Sequence, residues 1–308
     1  VSESAKNLPI SILRRLRNKA QAEGHNAQDL LRYYAIERFL YRLSQSPHAN
    51  RFVLKGALTF LAWGIDFSRS TRDIDLRGFV VGDVETMCSI VQDICLTPVV
   101  ADGMDYDPTS VTGEIIREGA RYQGVRVRFI GALGKARASM QIDVGVADTI
   151  TPPARRVIYP TLLDMPAPEL QSYPPETVVA EKLEAMVVLG EINSRMKDFY
   201  DVWLIAQHFE FEASLLQQAI RATFRQRRTD LPAELPVALT DSFAVQKQHL
   251  WRAFVTHNEL GIIAPPNFRT VVEELRTFVM PLLGAEAFVG HWSNGQSWKY
   301  SDYTSEAL

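Results

Sequence analysis

Seven prolines fall within the 25 residues from Thr151 to Pro175, at 152, 153, 160, 166, 168, 174 and 175. Each fixes its own φ and removes a backbone donor, so the segment predicts an interruption of regular structure and divides the chain in two. The 308 residues suit two domains of ordinary size, and the division is expected to leave residues 1–165 in one and residues 166–308 in the other. The patterns on either side differ. Before the prolines, helical and strand periodicities mix. After them every periodic stretch reads as helix.

In the first part, Pro9 to Glu23 carries Ile10, Leu13 and Leu16 at helical spacing and stops at Gly24, and Asn26 offers an N-cap for a helix through Leu43. Arg51 to Leu54 reads as a short strand, Gly56 as a turn, Ala57 to Trp63 as a short helix and Asp73 to Val81 as a strand. Residues 83–95 read as helix. Val125 to Gly131 alternates Arg126 and Arg128 with apolar residues, and Ser139 to Val146 is a further strand. In the second part helices are expected over Thr177–Leu189, Ser194–His208, Ala213–Thr223, Asp241–His257 and Phe268–Leu283, with no strand among them. Residues 284–308 carry Trp292, Trp298, Tyr300 and Tyr303 without periodicity, so they either dock or stay free.

Composition narrows the classes of function. The 33 Lys and Arg against 36 Asp and Glu leave a net charge of −3, so any basic surface must be local. The two cysteines, Cys88 and Cys95, suit neither a disulfide framework nor a four-ligand zinc site, and they fit a reducing cytoplasm. There is no membrane-length apolar run, no His-x-x-x-His, no Gly-x-Ser-x-Gly and no Walker-A loop. A monomer without a membrane partner is expected.

The chemistry concentrates in carboxylates. Asp73 and Asp75 sit two apart on an expected strand, which places both on one face, where they repel unless a cation lies between them. Magnesium binds one or two carboxylates together with substrate phosphates, so the pair suits a nucleotide-phosphate site. Asp143 interrupts an apolar strand and is a candidate third ligand. The Gly56 turn ahead of a helix can present backbone N–H groups to an anion. Spacing alone equally allows a solvated strand edge paired with Arg69 and Arg72. In the second part Val178, Ala185 and Leu189 are expected to face inward, with Lys182 on the flank of that apolar face. Asp198 and Asp201 share a face of the next helix. Ordinary helix-surface ion pairing would explain this pattern too.

Four segments taken in order, Lys55-Gly56-Ala57-Leu58 with Arg69 and Thr71-Arg72-Asp73-Ile74-Asp75-Leu76, Gln141-Ile142-Asp143-Val144-Gly145, Ala180-Glu181-Lys182-Leu183-Glu184-Ala185, and Arg195-x-Lys197-Asp198-Phe199-Tyr200-Asp201, resemble the AbiEii/AbiGii toxin family. These are nucleotidyltransferases of the DNA polymerase β-like superfamily, related to the MenT toxins. The likeness runs from about residue 50 to about residue 230. It implies a bilobed α/β + α fold, with a polymerase-β-like core on a mixed sheet and a C-terminal helical lobe that completes a cleft. It also implies a magnesium-dependent (or manganese-dependent) enzyme that transfers a nucleotide from a nucleoside triphosphate to RNA, at the tRNA 3′ end, and that is neutralised by an antitoxin encoded nearby. Phage defence belongs to the same picture.

By the same resemblance Asp73, Asp75, Lys182 and Asp198 are catalytic, and Asp73, Asp75 and Asp143 hold the metal. Lys55, Gly56, Arg69, Thr71, Asp201 and Arg228 bind substrate, and Arg126, Arg128 or Arg225 to Arg228 lie along acceptor phosphates. Where the superfamily has Gly-Ser or Gly-Gly, this chain has Gly56-Ala57, so a phosphate there would rely on backbone N–H groups. A phosphate on Thr71 would repel metal-bound triphosphate. Transfer to a protein or small-molecule hydroxyl, or a silent nucleotide- or RNA-binding regulator, are the alternatives.

Overall fold

The computed structural model describes residues 3–65, 71–78, 83–118, 122–145 and 149–300, without the side chains of 3–6, 117, 118, 122, 123 and 300. The chain forms two compact units. One comprises Val1–Ala147 and Arg155–Ser172, and the other Asp148–Ala154 and Tyr173–Leu308. The proline-rich segment is therefore shared between the units instead of being cut once at residue 165.

In the first unit, α1 (Glu3–Glu23) and α2 (Ala27–Gln45) are followed by β1 (Phe52–Lys55), α3 (Leu58–Ala62), β2 (Ile74–Gly78) and α4 (Val84–Leu96). Then come β3 (Met104–Glu118), β4 (Tyr122–Leu133), β5 (Ala136–Gly145), β6 (Arg155–Ile158) and β7 (Glu169–Ser172). Asn26 caps α2 as expected, its side chain accepting from the Gln28 N–H, and Asp83 caps α4 by accepting from the Thr86 N–H, whereas α1 begins at Glu3, ahead of the expected Pro9. The seven strands form one mixed sheet in the order β3-β4-β5-β2-β1-β7-β6, with the β2–β5 and β1–β7 pairs parallel.

Alternation sorts the two faces of this sheet. Leu54, Ile74, Leu76, Val125, Val127, Phe129, Met140, Ile142 and Val144 join the core with Phe39 and Leu40 of α2 and Ile90, Val91 and Ile94 of α4. The residues between them, Lys55, Asp75, Arg126, Arg128, Gln141 and Asp143, take the other face. A buried polar brace fixes the loop into β3: Arg42 makes two hydrogen bonds to the Asp102 carboxylate (2.6 and 3.0 Å) and one to the Met104 carbonyl.

Three of these strands depart from the sequence expectation. β3 contains Pro108 and Gly113, which disguise it. It is an edge strand, and Pro108 sits in its irregular stretch between Asp107 and Thr112, where no ladder donor is needed. The strands β6 and β7 lie inside the proline-rich segment, short enough to fit between the prolines.

The second unit is built on α5 (Pro175–Leu189), α6 (Met196–His208), α7 (Ala213–Arg227), α8 (Asp241–His257) and α9 (Phe268–Val279). Pro175 opens α5, where its missing N–H costs nothing. Leu183 and Met186 are buried on α5, whereas Ala185 and Leu189 are only half-buried, contrary to the expected inward stripe. Strands are present here too: β8 (Phe211–Glu212), β9 (Gly290–Trp292) and β10 (Trp298–Tyr300) form a small antiparallel sheet. The described part of the aperiodic tail, to Tyr300, thus docks, and Tyr303 lies outside the described residues. Trp292 and Trp298 face each other across the hairpin and pack on Phe278, and their indole N–H groups donate to the carbonyls of Ala206 and Phe278 (2.8 and 2.9 Å).

Candidate active site

The polar face of the first unit carries a line of charges that the strand register sets side by side. Lys55 of β1 is opposite Asp75 of β2, Asp75 is opposite Asp143 of β5, and Asp143 is opposite Arg126 of β4, which in turn is opposite Glu114 of β3. Neighbouring strands lie roughly 4.8 Å apart, so these groups are within one another's fields. The order of charges is plus, minus, minus, plus, minus. Lys55 and Asp143 are buried, and Asp75 is partly so.

The turn after β1 closes on Asp75. Gly56 has φ +71°, and a Cβ placed on it would overlap Asp75 Oδ2 and lie 2.8 Å from the Asp75 Cβ and Cγ. No other residue fits there. Its carbonyl accepts the N–H and hydroxyl of Thr59, in the first turn of α3. Asp73 lies one residue before β2, so its position comes from the approach to the strand and not from strand alternation. That approach is held by α2: the Thr71 N–H donates to the Tyr33 hydroxyl at 3.1 Å. Arg69 lies outside the described residues.

Asp143 is engaged on both oxygens. Arg126 donates from Nε to Oδ1 at 2.8 Å and from Nη2 to Oδ2 at 2.6 Å, a side-on bidentate pair. That bond, with the charges of Asp143, Asp73 and Glu114, raises the Arg126 pKa further above its usual value against the effect of burial, so the guanidinium stays charged. Arg128 is taken up by Glu114 (2.8 Å) and Gln141 (3.2 Å). The sequence shows the alternation that points these side chains to one face. It does not show the register that pairs Arg126 with Asp143.

Among the described residues no group of three His, Cys, Asp or Glu side chains is arranged as a metal cage. Magnesium needs fewer from the protein, because it keeps water and takes phosphate oxygens. Asp73 and Asp75, hard oxygen donors beside a glycine turn, fit such an ion.

In the second unit, α5 and α6 bring together the other expected residues. Lys182 Nζ lies 2.7 Å from Asp198 Oδ1 and 2.8 Å from Asp201 Oδ2, and Arg195 Nε lies 2.8 Å from Asp198 Oδ2. Both carboxylates are 1% exposed and Lys182 is 15% exposed. Two cations therefore balance two buried anions. Arg228 is exposed at the left-handed C-cap of α7 with φ 53°, while its neighbour Arg227 braces α7 to α5 through Glu184 at 3.0 Å.

The family described as the nucleotidyl transferase AbiEii toxin of type IV toxin–antitoxin systems matches residues 38–274. A Helicobacter pylori crystal structure, JHP933, aligns at 14% identity and TM-score 0.38 over 83% of this chain and 96% of its own. A second H. pylori structure, of a candidate nucleotidyltransferase, aligns at 14% identity and TM-score 0.40 over 81% of this chain and 98% of its own. No curated protein matches.

Proposed function

This chain belongs to the AbiEii family of nucleotidyl transferase toxins from type IV toxin–antitoxin systems, and from that premise we propose that it transfers a nucleoside monophosphate from a nucleoside triphosphate to the 3′ end of tRNA. The observation that carries the reading is the Gly56 turn closed on Asp75, with Asp75 in register between Lys55 and Asp143. A phosphate-binding glycine turn and a metal-ligand carboxylate then share one small surface.

In this reading Asp73 and Asp75 hold the divalent ion, which when bound offsets charge on the attacked α-phosphate and the departing pyrophosphate. The Gly56 turn, Lys55 and Thr71 are assigned to the phosphates, as is Arg69, which lies outside the described residues. In transfer, the acceptor hydroxyl oxygen bonds to the α-phosphorus and its proton passes to solvent, while the bond from that phosphorus to the β-bridging oxygen breaks and pyrophosphate leaves with that electron pair. In the helical unit we assign Lys182 to the nucleotide's phosphates. Asp198 and Asp201 hold its ammonium in place, which makes Asp198 an orienting carboxylate. Arg228 is assigned to acceptor phosphate.

A partner antitoxin follows from the family. No helix among the described residues is long and apolar enough to cross a membrane.

The test is incubation with magnesium, total tRNA and each of four α-labelled nucleoside triphosphates, beside Asp75→Asn and Lys182→Met. Label on tRNA from the parent alone is expected. Label on protein would move the acceptor class, and no label with any nucleotide would sink the reading.

A further inference from the structure

We propose that Asp143 is the anchor of Arg126 and not a metal ligand, and that Arg126 binds the phosphates of the nucleotide. The inference deepens the nucleotide-transfer reading and rests on it.

The carboxylate of Asp143 accepts two N–H groups from one guanidinium, one on each oxygen, which uses the in-plane lone pairs best placed for a cation. Pulling it away to a metal would strand Arg126, whose side chain is only 29% exposed. Asp73 and Asp75 can match one divalent ion while Asp143 matches Arg126, so every charge has its partner without the third carboxylate leaving the guanidinium. Across the sheet Arg126 therefore cancels the third carboxylate.

The guanidinium also has capacity to spare. Of its five N–H groups, Asp143 takes one from Nε and one from Nη2, and Nη1 keeps two. Among the described residues it has no other hydrogen-bond partner. A fixed fork of this kind loses little freedom on meeting a phosphate, the property that sets arginine apart from lysine in such sites. Its place is suitable. Arg126 stands two strands from Asp75 on the same face, roughly 10 Å between Cα positions, with only Asp143 between them in the row. A triphosphate whose α-phosphate meets the metal at Asp75 can extend over that gap. Asp73 is close enough for its charge to act on Arg126.

The experiment measures binding, separately from turnover. Mn2+ affinity is read by electron paramagnetic resonance, and the affinity of a fluorescent non-hydrolysable nucleoside triphosphate by anisotropy. The proteins are the parent, Asp143→Asn, Arg126→Gln, the double variant and Asp75→Asn. Asp143→Asn is expected to keep Mn2+ affinity within about twofold, while Asp75→Asn loses about tenfold or more. Nucleotide Kd is expected to rise about tenfold in Arg126→Gln and in Asp143→Asn, and no further in the double variant. The double variant removes both members of the pair, so it remains informative if a single variant folds poorly.

Equal Mn2+ loss in Asp143→Asn and Asp75→Asn would make Asp143 a ligand and overturn the proposal. So would unchanged nucleotide affinity in Arg126→Gln, including the case in which only tRNA affinity falls. A parent that binds nucleotide but labels something other than RNA would refute the acceptor assignment and leave this proposal standing. A parent that binds Mn2+ and no nucleotide would sink both.

Discussion

Replacing Gly56 by alanine separates two costs that usually arrive together. The first is conformational. Gly56, Gly24 and Gly64 all have positive φ, at +71°, +71° and +80°, where an L-residue loses about 1–2 kcal/mol, partly offset by about 0.4–1 kcal/mol from the stiffer unfolded chain. Gly24 and Gly64 have nothing within 4 Å of a new Cβ, so their alanine variants should lose about 1 kcal/mol from this source alone.

At Gly56 a second cost is added. The new Cβ would stand 2.8 Å from the Asp75 Cβ and Cγ, against the 3.4 Å at which ordinary contact begins, a shortfall of 0.6 Å. Rotating the Asp75 side chain cannot relieve the contact with its Cβ, which is fixed to β2. The strand pair must part instead, at a further cost of about 1–3 kcal/mol. Urea unfolding should then place Gly56→Ala about 2–4 kcal/mol below the parent. Because the displaced group is the carboxylate assigned to the metal, kcat/KM for nucleotide transfer should fall about tenfold or more. In an Asp75→Gly background, expected to be inactive, the alanine should add only the conformational cost. If Gly56→Ala unfolds like Gly24→Ala and keeps its transfer rate, the close approach of the turn to Asp75 is refuted.

Three further outcomes are expected. Lys182→Met leaves the buried carboxylates of Asp198 and Asp201 without the ammonium between them and should cost about 3 kcal/mol in denaturant unfolding, with part regained in Lys182→Met/Asp201→Asn; an unchanged midpoint would contradict the network. Glu37 is 1% exposed, and burial raises its pKa to about 7 despite Arg38 and the Leu162 N–H, so the folded protein holds a proton there that the unfolded chain releases near pH 4.5. Its contribution is present below that pH and lost as pH rises to about 7, so the parent should lose on the order of 3 kcal/mol relative to Glu37→Gln over this window, and parallel stability curves would refute the shift. Trp292→Ala removes an indole that is 3% exposed and its bond to Ala206, and should cost about 3–5 kcal/mol; a loss below about 1 kcal/mol would mean that the hairpin does not hold its place.

Local signals made most helices and the central strands legible. Asn26 caps the helix it marks, and the alternation of Arg126 and Arg128 with Val125, Val127 and Phe129 gives the two faces of β4. What stayed hidden depended on partners distant in sequence. Pro108 and Gly113 argue against a strand unless the strand is known to be an edge, and nothing local announces β6 or β7 among the prolines. The tail became readable only as Trp292 and Trp298 found Phe278. At the site, the residue types of Asp73, Asp75 and Asp143 spoke for a cation, but the Arg126–Asp143 bond depends on how β4 and β5 align. In the same way, spacing along one helix puts Asp198 and Asp201 on a shared face but does not show that Lys182 reaches both from another helix.

Sheet order also has a meaning for synthesis. β1 lies between β2 and β7, yet Glu169, which opens β7, leaves the ribosome long after Lys55, which ends β1. At about 5–20 residues per second the delay is roughly 6 to 23 seconds. Throughout it the edge of β1 that will meet β7 has no partner, and its sequence, Phe52-Val53-Leu54, is wholly buried in the finished unit. An apolar strand edge held open for that long is prone to join a neighbouring chain. Polypeptides ending before Glu169 should therefore accumulate as aggregates even though every carboxylate of the sheet site has already been made.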